Sequence, residues 1–491
     1  MCGIVGGITS KNITPLLLDG LKRLEYRGYD SSGLVILSQD NKLVRERAAG
    51  KVSNLENNLK RIKPSLKGNV GLAHTRWATH GKPSVNNAHP HISKNSISVV
   101  HNGIIENYID LKDLQMKQGY VFTSETDTEV IAHAIESAIK PSDSLLKATQ
   151  KAIKTLKGSY GIGVLSSKYP DQIIAARKGS PLVIGIGDNG NYVASDQMAL
   201  LSVTDKFIFL EEGDTAEIKL DKITIYDLND NLVERPIKTS NLKLGQVDLE
   251  DYDHFMQKEI FEQPQAIRDT LESRITNDAV VIPAFGYDAE KIFQKIRQVQ
   301  IVACGTSYHA GLVAKYWLED IAKVPCNVEV ASEYRYRNPI LLNDTLFVTL
   351  SQSGETADTV EALKTAKKIN SNIVSLCISN SSESSLTRLS DLNFLTHAGP
   401  EIGVASTKAF TTQLVALALL VCSIGKLKNT IDSMQEKEIV DGLRRLPGLI
   451  NDALLQEPQI KKLAARFKDK NSALFLGRER FYAIPMFFIP L

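Results

Sequence analysis

Hydrophobic and polar positions change period repeatedly over residues 2–226. Short β-rich runs at 4–8, 33–37, 98–100 and 207–210 are interspersed with two stretches of helical spacing. The first, 15–25, lines up Leu17, Leu18, Leu21 and Leu24, and the second lines up Val130, Ile131, Ala134, Ile135 and Ala138. Each set is one apolar face of an amphipathic helix, and the mixture predicts an α+β region. Thr126 and Glu129 have the Thr-x-x-Glu spacing of a capping box. That spacing predicts a helix start with Asp127 in the first turn, where a carboxylate meets the positive end of the helix dipole.

Residues 227–284 turn polar, with Asn229, Asp230 and Asn231 and then 243–252, before a helix-like stretch over 254–271. They are expected to be a linker and connecting helix. Region 285–426 has strand-like apolar runs at 299–304, 345–350 and 373–378, each followed by a Ser/Thr/Gly- or Ser/Asn-rich turn. This predicts a parallel, doubly wound α/β sheet. Connecting helices over 427–472, with a helical stretch at 436–455, lead to a strand expected at 473–476, the start of a further domain over 473–491. The most apolar run, 414–424, is about half of the roughly 20 residues needed to span a bilayer, so a buried helix is expected and no membrane.

Composition adds exclusions. At 491 residues the chain should hold about three domains. Lys plus Arg is 58 against 56 for Asp plus Glu, a net +2, which gives no field to recruit a polyanion, so no nucleic acid is expected. The five cysteines are scattered without CxxC pairing, which fits neither a disulfide framework nor a thiolate zinc site and points to a reducing, cytoplasmic setting. The first ten residues lack the basic, apolar and small-residue segments of a signal peptide.

The candidate chemistry begins at Cys2. Removal of Met1 would leave a thiol and a free α-amino group on one residue, a nucleophile with its own base that can attack a carboxamide. Arg76, Trp77, Thr79 and His80 in HTRWATHG, and Asn102 and Gly103 in HNGIIEN, supply the surroundings. The Arg76 fork suits a carboxylate. Asn102 with the Gly103 N–H makes a sensible oxyanion hole, and Asp127 can hold an ammonium. Together they describe a site for the amide of free glutamine. His74, His80, His89, His91 and His101 are crowded, but they lack the Cys or carboxylate partners usual at tight spacing in zinc sites, so no metal is assigned. Gly185, Gly187 and Gly190 read GxGxxG, yet a strand-like run follows instead of the helix that phosphate binding requires.

In the third region CGTS (304–307) and SQSGET (351–356) each follow a strand and precede a helix. Hydroxyls and backbone N–H groups there can converge on an anion at the helix N-terminus. Cys304 itself is expected to be a small residue buried at a strand end.

Five motifs in order, CGIVGG, LEYRGYDSSG, HTRWATHG, HNGIIEN and SETDTEVIAH, make residues 2–226 resemble the class II glutamine amidotransferases. These are N-terminal-nucleophile hydrolases, so the resemblance implies an α+β sandwich of sheets between helices. It also implies Cys2 as nucleophile, Asn102 and Gly103 as oxyanion hole, Arg76, Thr79, His80 and Asp127 as glutamine ligands, and Trp77 by the exit for ammonia. The two loops of the third region, with Val404 and Ser406 in EIGVASTKAF, resemble a sugar isomerase (SIS) domain. There Thr306, Ser307, Ser351, Gln352, Ser353, Thr356, Val404 and Ser406 would bind a sugar phosphate.

With YDHFMQKEIFEQP between them, the two domains resemble one family, the glutamine-dependent fructose-6-phosphate aminotransferases. That resemblance implies L-glutamine and fructose 6-phosphate as substrates, an internal ammonia channel, a homodimer and no cofactor. The family carries a carboxylate base, a ring-opening His and a C-terminal Lys in a second SIS domain. Similarity runs on to about Arg478, residues 479–486 match loosely at best and 487–491 not at all, so that domain is expected to be incomplete and synthesis impaired. Glutaminase activity alone and non-catalytic sugar-phosphate binding are the alternatives.

Overall fold

The computed structural model describes residues 2–25, 28, 30–61, 66–77, 81–140, 143–240, 249–472, 474 and 476–478. Its chain divides into two units, Met1–Asp248 and Leu249–Leu491.

The first unit is built on strand alternation. In strand β1 (Gly3–Thr9), Ile4 and Ile8 face one way and Val5 the other, and all three are buried, so each face of the strand packs on something. One face meets a second sheet. Ile4, Val35 and Leu72 from an eight-stranded antiparallel sheet share a core with Val100, Leu165 and Ile173 from a seven-stranded one. The other face meets helices. Val5, Leu34 and Ala73 pack on Leu17, Leu21 and Leu24 of α1 (Thr14–Leu24), the face expected from the leucine spacing. The outer side of the second sheet is covered likewise by Val130, Ile131 and Ile135 of α2 (Glu129–Ala138). This helix–sheet–sheet–helix sandwich is the architecture expected for residues 2–226.

Three further strands position chemistry. β2 (Val70–Arg76) runs antiparallel to β1 with Gly3 opposite Thr75 and Ile4 opposite His74. In the facing sheet, β3 (Ile97–Ile105) pairs with β4 (Gly158–Ser166), Asn102 opposite Gly161 and Gly103 opposite Tyr160. Gly185, Gly187 and Gly190 lie in paired strands, Val183–Gly187 and Gly190–Ala194, with no helix at the turn.

The capping box is not formed. Helix α2 begins at Glu129, two residues after Asp127, and its N-cap Thr128 makes no side-chain cap bond. The Thr126 hydroxyl is engaged instead by His91 and Ser124. The Glu129 carboxylate reaches back to accept the N–H groups of Thr123 and Ser124.

The stretch expected as a linker is shared between the units. Strands Leu232–Val233 and Ile237–Thr239 are edge strands of the first unit's two sheets, because their backbone pairs with Ile223–Tyr226 and Lys206–Phe209. Helix α3 (Phe255–Leu271) instead packs Ile267 and Leu271 into the core of the second unit.

Among its described residues that second unit holds five parallel strands: β5 (Gln298–Ala303), β6 (Cys326–Val330), β7 (Thr345–Ser351), β8 (Val374–Ser379) and β9 (Leu392–Leu395). Their spatial order is β6-β5-β7-β8-β9. Alternate residues feed opposite cores. Ile301, Val348 and Leu376 pack with α4 (Gly305–Asp320) and α6 (Lys408–Leu427), while Val302, Phe347 and Cys377 pack with α5 (Ala357–Ile369). Both faces are covered, as a parallel sheet requires. Helix α6 contains the apolar run 414–424. It is the one helix among the described residues long and apolar enough to cross a membrane, and it lies largely buried in this core. Of the strand expected at 473–476, Leu474 and Leu476 are exposed and outside any strand, and the other two residues lie outside the described set.

Candidate active site

Pairing of β1 with β2 brings Cys2 against the end of β2. Trp77 N–H donates to Cys2 Sγ at 3.3 Å, and the thiol lies 3.5 Å from the Trp77 carbonyl oxygen. The contact runs through the Trp77 backbone, and the residue is 39% exposed. Burial pushes the Cys2 thiol pKa up, opposed by the Trp77 N–H, the N-terminal ammonium and Arg76. A thiol so placed needs a base to become a nucleophile. Arg76 is buried and donates to the Gly81 carbonyl at 3.2 Å. Burial lowers its pKa, with Cys2, Asp127, Asp30 and Glu125 pulling the other way. The buried Asp127 accepts the Ile105 N–H at 2.8 Å, which ties the segment before α2 to the end of β3.

Asn102 faces the same point. Its Nδ2 donates to the Cys2 carbonyl oxygen at 3.0 Å, and its Oδ1 lies 3.0 Å from His74 Nε2. His74 Nε2 is also 3.0 Å from the His101 carbonyl oxygen. Two oxygens on one ring nitrogen require that nitrogen to carry the proton, and the amide must then turn its NH₂ toward Cys2. Burial holds His74 down to about 3, so the ring stays neutral. Gly103 has φ +131°, and a Cβ there would sit 2.1 Å from the Ser159 carbonyl oxygen, so the strand admits only glycine.

The other histidines extend this framework. His89 stacks on His74 with ring centroids 4.1 Å apart and accepts the His101 N–H on Nδ1 at 3.3 Å. Its Nε2 then donates to the Thr128 hydroxyl at 3.2 Å, which donates in turn to His101 Nδ1 at 2.9 Å. Burial holds His89 and His91 well below the usual imidazole range. Among the described residues no group of His, Cys, Asp and Glu is arranged to hold a metal.

In brief, Cys2, Arg76, Trp77, Asn102, Gly103 and Asp127 meet at one end of the sandwich. Thr79 and His80 lie outside the described residues. His74 was legible only as one of several histidines; its role follows from two facing sheets that no sequence spacing encodes.

The second unit has its own candidate site. β5 and β7 are adjacent and in register, Ala303 opposite Leu350, so the loops after them start side by side. The helices that follow, α4 and α5, lie on opposite faces, which makes this the topological switch point where open α/β sheets bind ligands. Thr306 and Ser307 occupy the first turn of α4. Ser351 Oγ accepts the Gly354 N–H at 3.0 Å and lies 3.0 Å from Thr356 Oγ1, which shapes the loop before α5. Gln352 and Ser353 are half-buried on that loop, and Ser353 Oγ accepts the Glu355 N–H at 3.2 Å. Cys304 stands half-buried at the N-cap of α4 rather than buried as expected, because it lies where the strand opens into the loop; burial raises its thiol pKa. A third loop, 401–407, carries Val404, 68% exposed, and Ser406, whose hydroxyl donates to Glu401 at 3.0 Å.

Comparison with known proteins matches both domains. Residues 74–202 match the family model described as a glutamine amidotransferase domain, and residues 292–423 the one described as an SIS domain. Glutamine–fructose-6-phosphate aminotransferase (isomerizing) of Pseudomonas putida is 53% identical over 486 residues, covering 99% of this chain and 79% of that protein. The protein of the same name from Haemophilus influenzae is 52% identical over 484 residues, again covering 99% and 79%. Among solved structures, the C-terminal domain of glucosamine-fructose-6-phosphate aminotransferase from Francisella tularensis matches 48% of this chain and 66% of its own, at 46% identity and TM-score 0.47.

Proposed function

Because the chain belongs to the glutamine–fructose-6-phosphate aminotransferase (isomerizing) family, we propose that it moves the amide nitrogen of L-glutamine to fructose 6-phosphate, giving glutamate and glucosamine 6-phosphate. Removal of Met1 frees the Cys2 amine, and because α-amino groups in general titrate near 7.7–8.0 it can take the thiol proton. The thiolate adds to the carboxamide carbon. Asn102 Nδ2 and the Gly103 N–H receive the negative oxygen. The C–N bond then breaks, the amine's proton leaves with ammonia, and a thioester remains on Cys2. Water hydrolyses that thioester, releasing glutamate and restoring the thiol. Arg76 takes the substrate carboxylate and Asp127 its ammonium, and the family resemblance assigns Thr79 and His80 to glutamine binding as well.

Trp77 stands at the exit for ammonia, which has to travel shielded from water because protonation would end its nucleophilicity. Thr306, Ser307, Ser351, Gln352, Ser353, Thr356, Val404 and Ser406 bind the sugar phosphate. A homodimer and a cytoplasmic setting belong to the same proposal, the latter supported by five unpaired cysteines.

One observation carries the reading: the Cys2 thiol sits at the Trp77 N–H while an Asn102 amide held by His74 points its donor at the same residue. The test is a coupled assay of the purified chain with glutamine and fructose 6-phosphate, quantifying both products. Amino sugar that disappears on Cys2→Ala supports the reading. Glutamate without amino sugar would favour the narrower glutaminase reading.

A further inference from the structure

The segment YDHFMQKEIFEQP, 252–264, contributes nothing to the chemistry described so far, yet it contains two carboxylates that grip the loop bearing Val404 and Ser406. Glu259, on α3, is 2% exposed. Its Oε1 accepts the N–H groups of Ile402 and Gly403, the latter at 2.9 Å. The backbone passes so close that a Cβ on Gly403 would lie 2.5 Å from Glu259 Oε2. One turn further along α3, Glu262 pairs at 2.5 Å with Lys408, the 3%-exposed first residue of α6. Gln263 accepts the Thr411 hydroxyl at 3.1 Å.

These contacts flank a loop with no regular secondary structure, so its backbone is held by side chains rather than by a ladder or a helix. Glu401 ties the loop to its own helix start, accepting the N–H groups of Thr407 and Ala409 at 2.8 and 3.0 Å. Only Glu259 holds the 402–403 peptides to another element through the bonds described. A buried carboxylate that accepts two backbone N–H groups is a strong, charge-assisted anchor. A binding loop fixed before the ligand arrives avoids the ordering cost of fixing it on binding.

We propose that Glu259 is a positioning residue for the sugar-phosphate site, holding loop 401–407 in its binding shape from helix α3, with Glu262 and Lys408 pinning the loop's far end. This rests on the reading that the loop binds fructose 6-phosphate. An ordinary packing role for Glu259 would change stability without separating the two substrates.

The experiment compares the full chain with Glu259→Ala, Glu259→Gln and Gly403→Ala, using titration calorimetry with fructose 6-phosphate, glutamate release from glutamine alone, and melting temperature. Glu259→Ala should weaken sugar-phosphate affinity roughly ten- to a hundredfold while glutamate release stays at the wild-type rate. Glu259→Gln keeps an acceptor at Oε1 and should remain within about threefold of wild type. If Glu259→Ala fails to fold, Gly403→Ala, whose methyl displaces the loop from the carboxylate, should show the same selective loss. Wild-type sugar affinity in the alanine variants, or a loss of both activities in step with melting temperature, overturns the proposal. A wild-type chain that releases glutamate but binds no fructose 6-phosphate overturns the sugar-site reading itself.

Discussion

Asn102 has an amide whose two ends are nearly the same size, and His74 decides which end faces the Cys2 carbonyl oxygen. Asn102→Ala should lower kcat for glutamine hydrolysis by roughly 10²- to 10³-fold with KM little changed, because the lost donor acts on the developing oxyanion. His74→Phe keeps the ring volume and removes the Nε2 donor, so steady-state kinetics should show a smaller kcat loss of roughly tenfold, again with KM preserved. An increase in KM alone for either variant would place these residues in substrate binding instead. Cys2, Arg76, Asn102, Gly103 and Asp127 were singled out together through their separated motifs and the resemblance these carry, not through any one residue's spacing, and their roles stay part of the proposal. His74 was not, since its partner lies across two sheets.

At the scale of elements, the Thr126–Glu129 spacing promised a capping box, and tertiary hydrogen bonding dissolved it. His91 and Ser124 claim the Thr126 hydroxyl, while Glu129 takes two N–H groups and two hydroxyls from Thr123 and Ser124. Glu129→Ala should therefore cost about 3 kcal/mol of stability and Thr126→Ala about 1 kcal/mol, as read by urea denaturation. The reverse ranking would restore the capping box. β3 was legible only over 98–100, because Asn102 and Gly103 interrupt its apolar pattern while the ladder with β4 runs on through them. The parallel strands β5, β7 and β8 came out within about a residue, since strands buried on both faces are continuous apolar runs. Their order in space was not legible: nothing in a single strand's pattern says which neighbour it pairs with.

For the whole molecule, polarity over 227–284 suggested a linker, yet edge strands are polar too, and part of that stretch completes both sheets of the first unit. The buried histidines also set a pH response. His74 titrates near 6.5 when unfolded and about 3 when folded, so below pH 6.5 the unfolded chain binds a proton that the folded one refuses. Stability should fall as pH drops from 6.5 toward 3, by on the order of 2 kcal/mol at pH 5 from His74 alone, with His89 and His91 adding in the same direction. Denaturation midpoints that are flat from pH 7 to 5 would contradict this.

The claim that joins these scales is that Cys2 attacks the glutamine carboxamide. Its most direct test is the rate of glutamate release from glutamine by the wild-type chain and by Cys2→Ala at equal concentration. The account predicts that the variant loses at least roughly 10³-fold in kcat while its melting temperature is retained. Glutamate release by Cys2→Ala at the wild-type rate would contradict it.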